Sequence, residues 1–320
     1  MKKILLTSFV AASAVLVACG GGETADTSPK STASTNAISM PSGFNTVMWQ
    51  DDFSTYSGST PDATKWAMLT GNGTEYGNTG WGNNELEYYL PSDATVANGS
   101  LQIHGHANSV AGFNYSSARV TSVQSIDLSQ AGFLEVKAQL PTAAGSWPAI
   151  WLLPGKTPGQ AFPPSQTQLN LQPTWPVGGE IDMAEYLSKY FSSNLTVQST
   201  LHLPSGTSAP YADQYIYKKA TLSSAIDSNF HLYQLKWNAQ AQEIDFSIDN
   251  TLVMACTKSS LTCTPSDGNA GLTLPSWPYG ATYTNYYLLL NLAIGGNLAS
   301  TPPTTYNQTM NVAYVRYLKP

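Results

Sequence analysis

The feature that most constrains this 320-residue chain is its near-total lack of helical periodicity: apolar residues recur at every second position, in short runs closed by turn residues. In "TVANGSLQIHGHA", Leu101 and Ile103 alternate with Gln102 and His104. In "GFLEVKAQL", Phe133, Glu135, Lys137 and Gln139 alternate with apolar partners. "EIDFSIDNTLVMA" sets Asp249 and Asn250 between two such runs and reads as a hairpin turn. "YLLLNLAIGG" and "NVAYVRYLKP" supply late strands. Many short strands with no helices between them predict an all-β sandwich or barrel. Residues 41–320 fit one such domain, with no internal repeat.

The N-terminus is of another kind. Lys2 and Lys3 precede an apolar run too short to span a membrane, so residues 1–18 read as a secretory signal. "LVAC", Leu16 to Cys19, resembles a bacterial lipobox, which makes Cys19 the expected lipidated first residue; an ordinary signal cut near Ala18 is the alternative. Residues 19–40 are Gly, Ser, Thr, Ala and Asn without periodicity, a flexible tether. The expectation is an exported, cell-envelope lipoprotein (outer membrane or surface), monomeric, touching membrane through its lipid alone. In that oxidising setting Cys256 and Cys263 form an even pair, and a disulfide across "CTKSSLTC" is favoured over two free thiols.

Charge narrows the partners. Removing Lys2 and Lys3 leaves 12 of the 14 basic residues against 20 acidic ones, a net charge of −8 with no Lys/Arg cluster, so nucleic acid is not an expected partner. The surface must be largely Ser, Thr, Asn and Gln, with 18 Tyr and 8 Trp in the chain, which suits neutral polyhydroxylated ligands.

Against that background "WPVGGEIDMAEY" stands out, because Glu180, Asp182 and Glu185 crowd one apolar segment. With one acid per sixteen residues, such a pattern arises by chance about 0.08 times per chain. On a regular strand Glu180 and Asp182 share a face with Ala184, and Glu185 points away. A β-bulge at Met183 or Ala184 would absorb one residue and return Glu185 to its partners. Two Glu side chains leaning across a concave face could then approach the roughly 5–5.5 Å of a retaining glycosidase pair, one as nucleophile and the other as acid/base with an elevated pKa. Clustered carboxylates also bind Ca²⁺ or Mg²⁺. Trp147, Trp151 and Trp175 nearby favour a groove on which sugar rings stack, although tryptophans on strands are more often core. A Pro- and Gln-rich loop, 154–174, leads into the segment. His104 and His106 share a strand face, but no third ligand accompanies them, and they read as surface residues rather than metal ligands.

These residues resemble glycoside hydrolase family 16. "GGEIDMAEY" is similar to the family signature E-x-D-x-x-E in its bulged form, and "WQDDFS", "GWGNNELEYY", "YSSARVTS", "WPAIWLLP", "STLHLPSG", "FHLYQLKW" and "YYLLLNLAIGG" look like family blocks in family order, over residues 44 to 318. The resemblance implies a β-jelly-roll of two curved antiparallel sheets with a concave substrate cleft. It implies Glu180 as nucleophile, Asp182 as its orienting acid, Glu185 as acid/base, Trp175 beside the cleaved sugar and His202 near the acid/base. Asn84, Glu85, Arg119, Trp147, Trp151 and Asn291 fall in blocks bordering the cleft. Within the family the chain looks most like the laminarinase branch, which cuts β-1,3-glucans internally. Mixed-linkage glucan, agar or carrageenan as substrate, transglycosylation, and a non-catalytic glucan-binding role are the alternatives. Glu87 stands where that branch usually has Gln. Ala313 stands where many relatives carry an Asp that helps bind a structural Ca²⁺, which argues against calcium; no cofactor is expected to be required.

Overall fold

Alternating β-branched, aromatic and polar side chains favour extended backbone, and burying one face of each strand requires a second layer. The computed structural model describes residues 40–320 except 55, 57–58, 156–174, 207–210, 261 and 269–275. The signal segment, Cys19, the tether and nearly all of the 154–174 loop lie outside the described residues. Among the described residues the strands are, in chain order, β1 (Thr46–Asp51), β2 (Trp66–Met68), β3 (Glu87–Tyr89), β4 (Ala94–Ala97), β5 (Ser100–Val110), β6 (Phe113–Ser117) and β7 (Arg119–Ser122). There follow β8 (Ile126–Asp127), β9 (Gly132–Gln139), β10 (Ser146–Pro154), β11 (Glu180–Glu185), β12 (Thr196–Pro204) and β13 (Asp213–Thr221). The last are β14 (His231–Trp237), β15 (Glu243–Ile248), β16 (Thr251–Thr257), β17 (Thr262–Thr264), β18 (Asn285–Ile294) and β19 (Asn307–Lys319).

They form two sheets of a jelly roll. One has the order β17-β16-β15-β14-β9-β19-β5-β6-β3, with β1 beside β19 and β4 beside β5; the other runs β13-β12-β11-β10-β18-β7-β2, with β8 beside β18. Pairing is antiparallel throughout except between β3 and β6. Between the sheets lies one large apolar cluster that includes Trp66, Leu101, Ile103, Ile181, Leu201 and Trp237. Each fully buried aromatic ring removes about 150–250 Å² from water, or roughly 5 kcal/mol of transfer free energy before chain entropy is counted.

Several local expectations are met. Asp249 and Asn250 adopt φ of 50° and 62°, the left-handed pair that a tight hairpin between β15 and β16 needs. Cys256 and Cys263 face one another across β16 and β17 and are joined by a disulfide. One reading needs correction, that of His104. Glu135, on the outer face of β9, is 1% exposed, because β19 lays Arg316 and Tyr314 over it, and there Arg316 Nε (2.8 Å), Tyr314 Oη (2.7 Å) and Gln234 Nε2 (2.7 Å) donate to its carboxylate. His104 is half-buried rather than a plain surface residue, its ring nitrogens 3.0 and 3.1 Å from the hydroxyls of Thr95 and Thr309.

Candidate active site

The smaller sheet presents its concave face as a cleft of about 1040 Å³, and β11 crosses the middle of it. Register explains how the three acids come together. Against β12, Asp182 pairs with Thr200 and Glu185 with Gln198, so Met183 and Ala184 oppose the single residue Ser199, whose hydroxyl donates to the Met183 carbonyl at 2.8 Å. Against β10, Asp182 pairs with Trp151 and Ala184 with Ile150, which leaves Met183 as the extra residue. Met183 and Ala184 both join the core cluster, while Glu180 and Glu185 line the cleft and Asp182 points to the same face.

Each acid has a specific neighbour. The Trp175 indole N–H donates to Glu180 Oε2 at 2.7 Å, and its ring, 48% exposed, lies 5.9 Å from the His202 ring. The Trp147 N–H donates to Glu185 Oε1 at 2.9 Å. His202 Nε2 faces Asp182 Oδ2 at 3.2 Å, and its Nδ1 donates to Asp213 at 2.9 Å. Burial disfavours ionisation of all three acids. Glu185 is raised to about 7, by burial above all and against the lowering effect of the Trp147 hydrogen bond. Glu180 is raised to about 8 and Asp182 to about 6, by burial first and then by neighbouring acids, and the two are close enough to share a proton. Burial alone would depress His202, but its contacts with Asp182 and Asp213 outweigh that and hold the imidazole well above its usual range.

Glu180, Asp182 and His202 place ligand atoms within 4.8 Å of one another, the spacing of a cation site. Both His202 nitrogens face carboxylates, which favours the imidazolium, and an imidazolium has no lone pair for a metal. Donors on two acids, a raised acid pKa and an open groove instead provide proton transfer and nucleophilic attack at one place.

The cleft walls differ. On the β10–β18–β7 side the Arg119 guanidinium, 6% exposed, is sandwiched 4.4 Å from the Trp81 ring centre and 4.7 Å from that of Trp151. On the β12–β13 side alternation brings Asp213, Tyr215, Tyr217 and Lys219 to the cleft, with the Lys219 ammonium 5.6 Å from the Phe191 ring centre. Of the residues expected from sequence, Trp147, Trp151, Trp175, His202 and Arg119 line the cleft. Glu85 and Asn291 are buried behind it: Asn291 accepts from the Trp151 indole at 2.7 Å, and Tyr89 Oη donates to Glu85 at 3.0 Å. Asn84 is exposed, bonded to Asn297, while its neighbour Asn83 lines the cleft.

The sequence profile of Glycosyl hydrolases family 16 matches residues 89–286. The chain belongs to glycosyl hydrolases family 16. It is therefore a glycoside hydrolase. Among family relatives, a beta-glucanase of Rhodothermus marinus is 29% identical over 283 residues, covering 84% of each chain. A keratan-sulfate endo-1,4-beta-galactosidase of Sphingobacterium multivorum is 28% identical over 98% of this chain and 67% of its own. The laminarinase catalytic domain of Thermotoga maritima superposes with a TM-score of 0.65 at 27% identity, covering 87% of this chain and 98% of that domain.

Asp213, Trp81 and the Tyr215–Tyr217–Lys219 face escaped the sequence reading. Period-two alternation in "DQYIYKKAT" does mark that face, but its orientation toward the cleft depends on the β12–β13 register, in which His202 pairs with Tyr215.

Proposed function

We propose that this family 16 enzyme cleaves β-1,3-glucan internally, with retention of anomeric configuration. The observation that carries the reading is the bulge at Met183, which places Glu180 and Glu185 together in an open cleft beside an aromatic floor. In the first step Glu180 attacks the anomeric carbon while Glu185 gives its proton to the departing glycosidic oxygen; the C–O bond breaks and a glycosyl ester of Glu180 forms. Glu185, now anionic, takes a proton from water, and the resulting hydroxide attacks the anomeric carbon and frees Glu180. In the free protein the proton shared by the pair favours Glu180, raised to about 8 against about 6 for Asp182; attack needs the Glu180 anion, so the step draws on the form in which that proton has moved to Asp182, and this transfer is how Asp182 primes the nucleophile. The names of the relatives support a glucan: beta-glucanase for one, laminarinase for the solved structure.

The test is incubation with laminarin, lichenan, agarose and carrageenan, with product sizing and NMR of the newly formed anomer. Laminarin oligosaccharides of β configuration are expected. Release from another polymer alone would overturn the substrate, and an initial α-anomer the mechanism. One observation favours a second reading, hydrolysis of a charged β-linked polysaccharide: Lys219 places an exposed ammonium in the cleft, and the keratan-sulfate galactosidase aligns over nearly the whole chain. We also propose export and lipidation at Cys19; a Cys19→Ser variant is expected to leave the membrane fraction.

A further inference from the structure

Behind the Trp81–Arg119–Trp151 wall lies a second pair of acids that hydrolysis does not use. Glu85 and Glu87, two residues apart in "NNELEYY", are both buried, Glu87 completely. Their carboxyl groups are in side-chain hydrogen-bond contact. Glu87 Oε2 accepts from the Ile294 amide at 2.7 Å, whereas among the described residues no donor reaches Glu87 Oε1. Two carboxylates in contact repel and supply no hydrogen, so the contact holds only if one of them is protonated.

Other titratable groups near the pair do not replace that proton. Tyr89 donates to Glu85, Tyr306 is close enough to feel Glu87 but hydrogen-bonds with Ser146, and Arg119 attracts Glu85 through space while stacked between two indoles. Burial first, and then the charge of Glu85, push the Glu87 carboxyl well above the usual carboxylate range.

The pair also connects to the cleft. Tyr89 Oη, donating to Glu85, accepts from Asn291 Nδ2 at 3.1 Å, and Asn291 Oδ1 accepts from the Trp151 indole at 2.7 Å. The Tyr89 ring packs 5.5 Å from that of Trp81. We propose that Glu87 is a positioning residue that works as a neutral acid: the proton it shares with Glu85 fixes Tyr89 and Asn291 and, through them, the Trp151–Arg119 wall that grips the sugar chain. A glutamine at this position would supply an N–H donor at any pH; a glutamic acid supplies an O–H donor only while protonated. Sugar binding on this wall should weaken as the pair loses its proton.

The substrate-binding half of this inference rests on the glycan-hydrolase reading, so the test has one part that needs no substrate. Between the ordinary carboxyl pKa of the unfolded chain and the raised folded value, the unfolded state has released a proton that the folded state keeps, so stability falls as pH rises. Glu87→Gln removes that loss. Its thermal midpoint should fall less steeply from pH 5 to pH 9 than that of the unaltered protein. In the second part, KM for the polysaccharide that the enzyme cleaves should rise by about threefold or more from pH 6 to pH 9 in the unaltered enzyme and stay flat in Glu87→Gln, with the alkaline fall of kcat common to both. Glu87→Leu, lacking the donor, should show a high KM at every pH. If Glu87→Leu fails to fold, Glu87→Gln still decides. Parallel stability curves overturn the shared proton whatever the substrate; KM profiles that rise together overturn its link to binding.

Discussion

Two stations of carboxyl groups lie in opposite sheets of this molecule, one closed off at 1% exposure and one bordering the cleft, with Asp182 and Glu185 buried and Glu180 partly so, and they are very differently supplied. Glu135 on β9 receives Arg316, Tyr314 and Gln234, so its charge is matched by a guanidinium and by neutral donors. Glu180, Asp182 and Glu185 share one imidazolium and two indole N–H groups among three acids. The first station meets the requirement for a buried ion, a partner and filled hydrogen-bond positions. The second falls short of it, and burial, which its few donors do not offset, keeps protons on acids at pH values where an ordinary carboxyl has lost them. Burial alone therefore does not separate a structural acid from a reactive one; the supply of donors does.

The largest effect expected from breaking this contrast is at Glu180. Glu180→Gln removes the proposed nucleophile while nearly keeping its shape, and kcat should fall by about 10³-fold or more. Stability should move the other way. Folding raises this pKa from 4.5 to about 8, so the folded state loses stability relative to the unfolded one as pH rises through that window. The amide is spared the loss: its thermal midpoint should exceed that of the unaltered protein at pH 8, with the gap closing near pH 4. An equal or lower midpoint at pH 8 would show that the cluster is not short of donors.

The bulge offers a finer cut. Deleting Met183 turns E-I-D-M-A-E into E-I-D-A-E, in which strict alternation still puts three acids on the cleft face. Activity should drop about 10²-fold from misplacement of the acid/base, yet remain above that of Glu180→Gln, and Met183→Ala should cost far less than the deletion. Complete inactivity of a deletion variant with an intact near-UV spectrum would mean that the bulge sets the carboxyl spacing itself and not only the face.

At the other station the outcome reverses. Glu135→Gln leaves Arg316 buried opposite a neutral amide, and unfolding free energy should fall by about 3 kcal/mol in denaturant titration, while kcat per folded molecule is unchanged.

How far these differences could be read in advance depends on their range in the chain. The strands, the Asp249–Asn250 hairpin and the three acids follow from alternation, turn chemistry and local spacing, so the sequence displays them directly. The identity of the extra residue as Met183 needs the registers of β10 and β12, and the Asp213 contact to His202 needs that of β12 against β13. The burial of Glu135 is not legible locally, because alternation assigns a face, not what covers that face; Arg316 lies 181 residues further on. Partners distant in sequence decide whether an acid is matched, and local pattern carries no trace of them.

The smallest expected effect tests the supply argument one hydrogen bond at a time. Among the described residues Trp147 supplies the one side-chain hydrogen bond that lowers Glu185, against burial that raises it. Trp147→Phe keeps a ring against the cleft floor and deletes the N–H. The Glu185 carboxylate then loses a donor and its pKa must rise further above about 7. General acid catalysis needs the protonated form, so rate falls as pH rises through that pKa, and removing the donor should move the alkaline limb of the kcat profile upward by about one pH unit or less. Activity at the optimum should fall at the same time, because the acid is less well held. A limb that moves downward, or that stays fixed while the maximum drops, would assign the alkaline titration to His202 or Glu180 instead, and would mean that the indole positions Glu185 without tuning its proton.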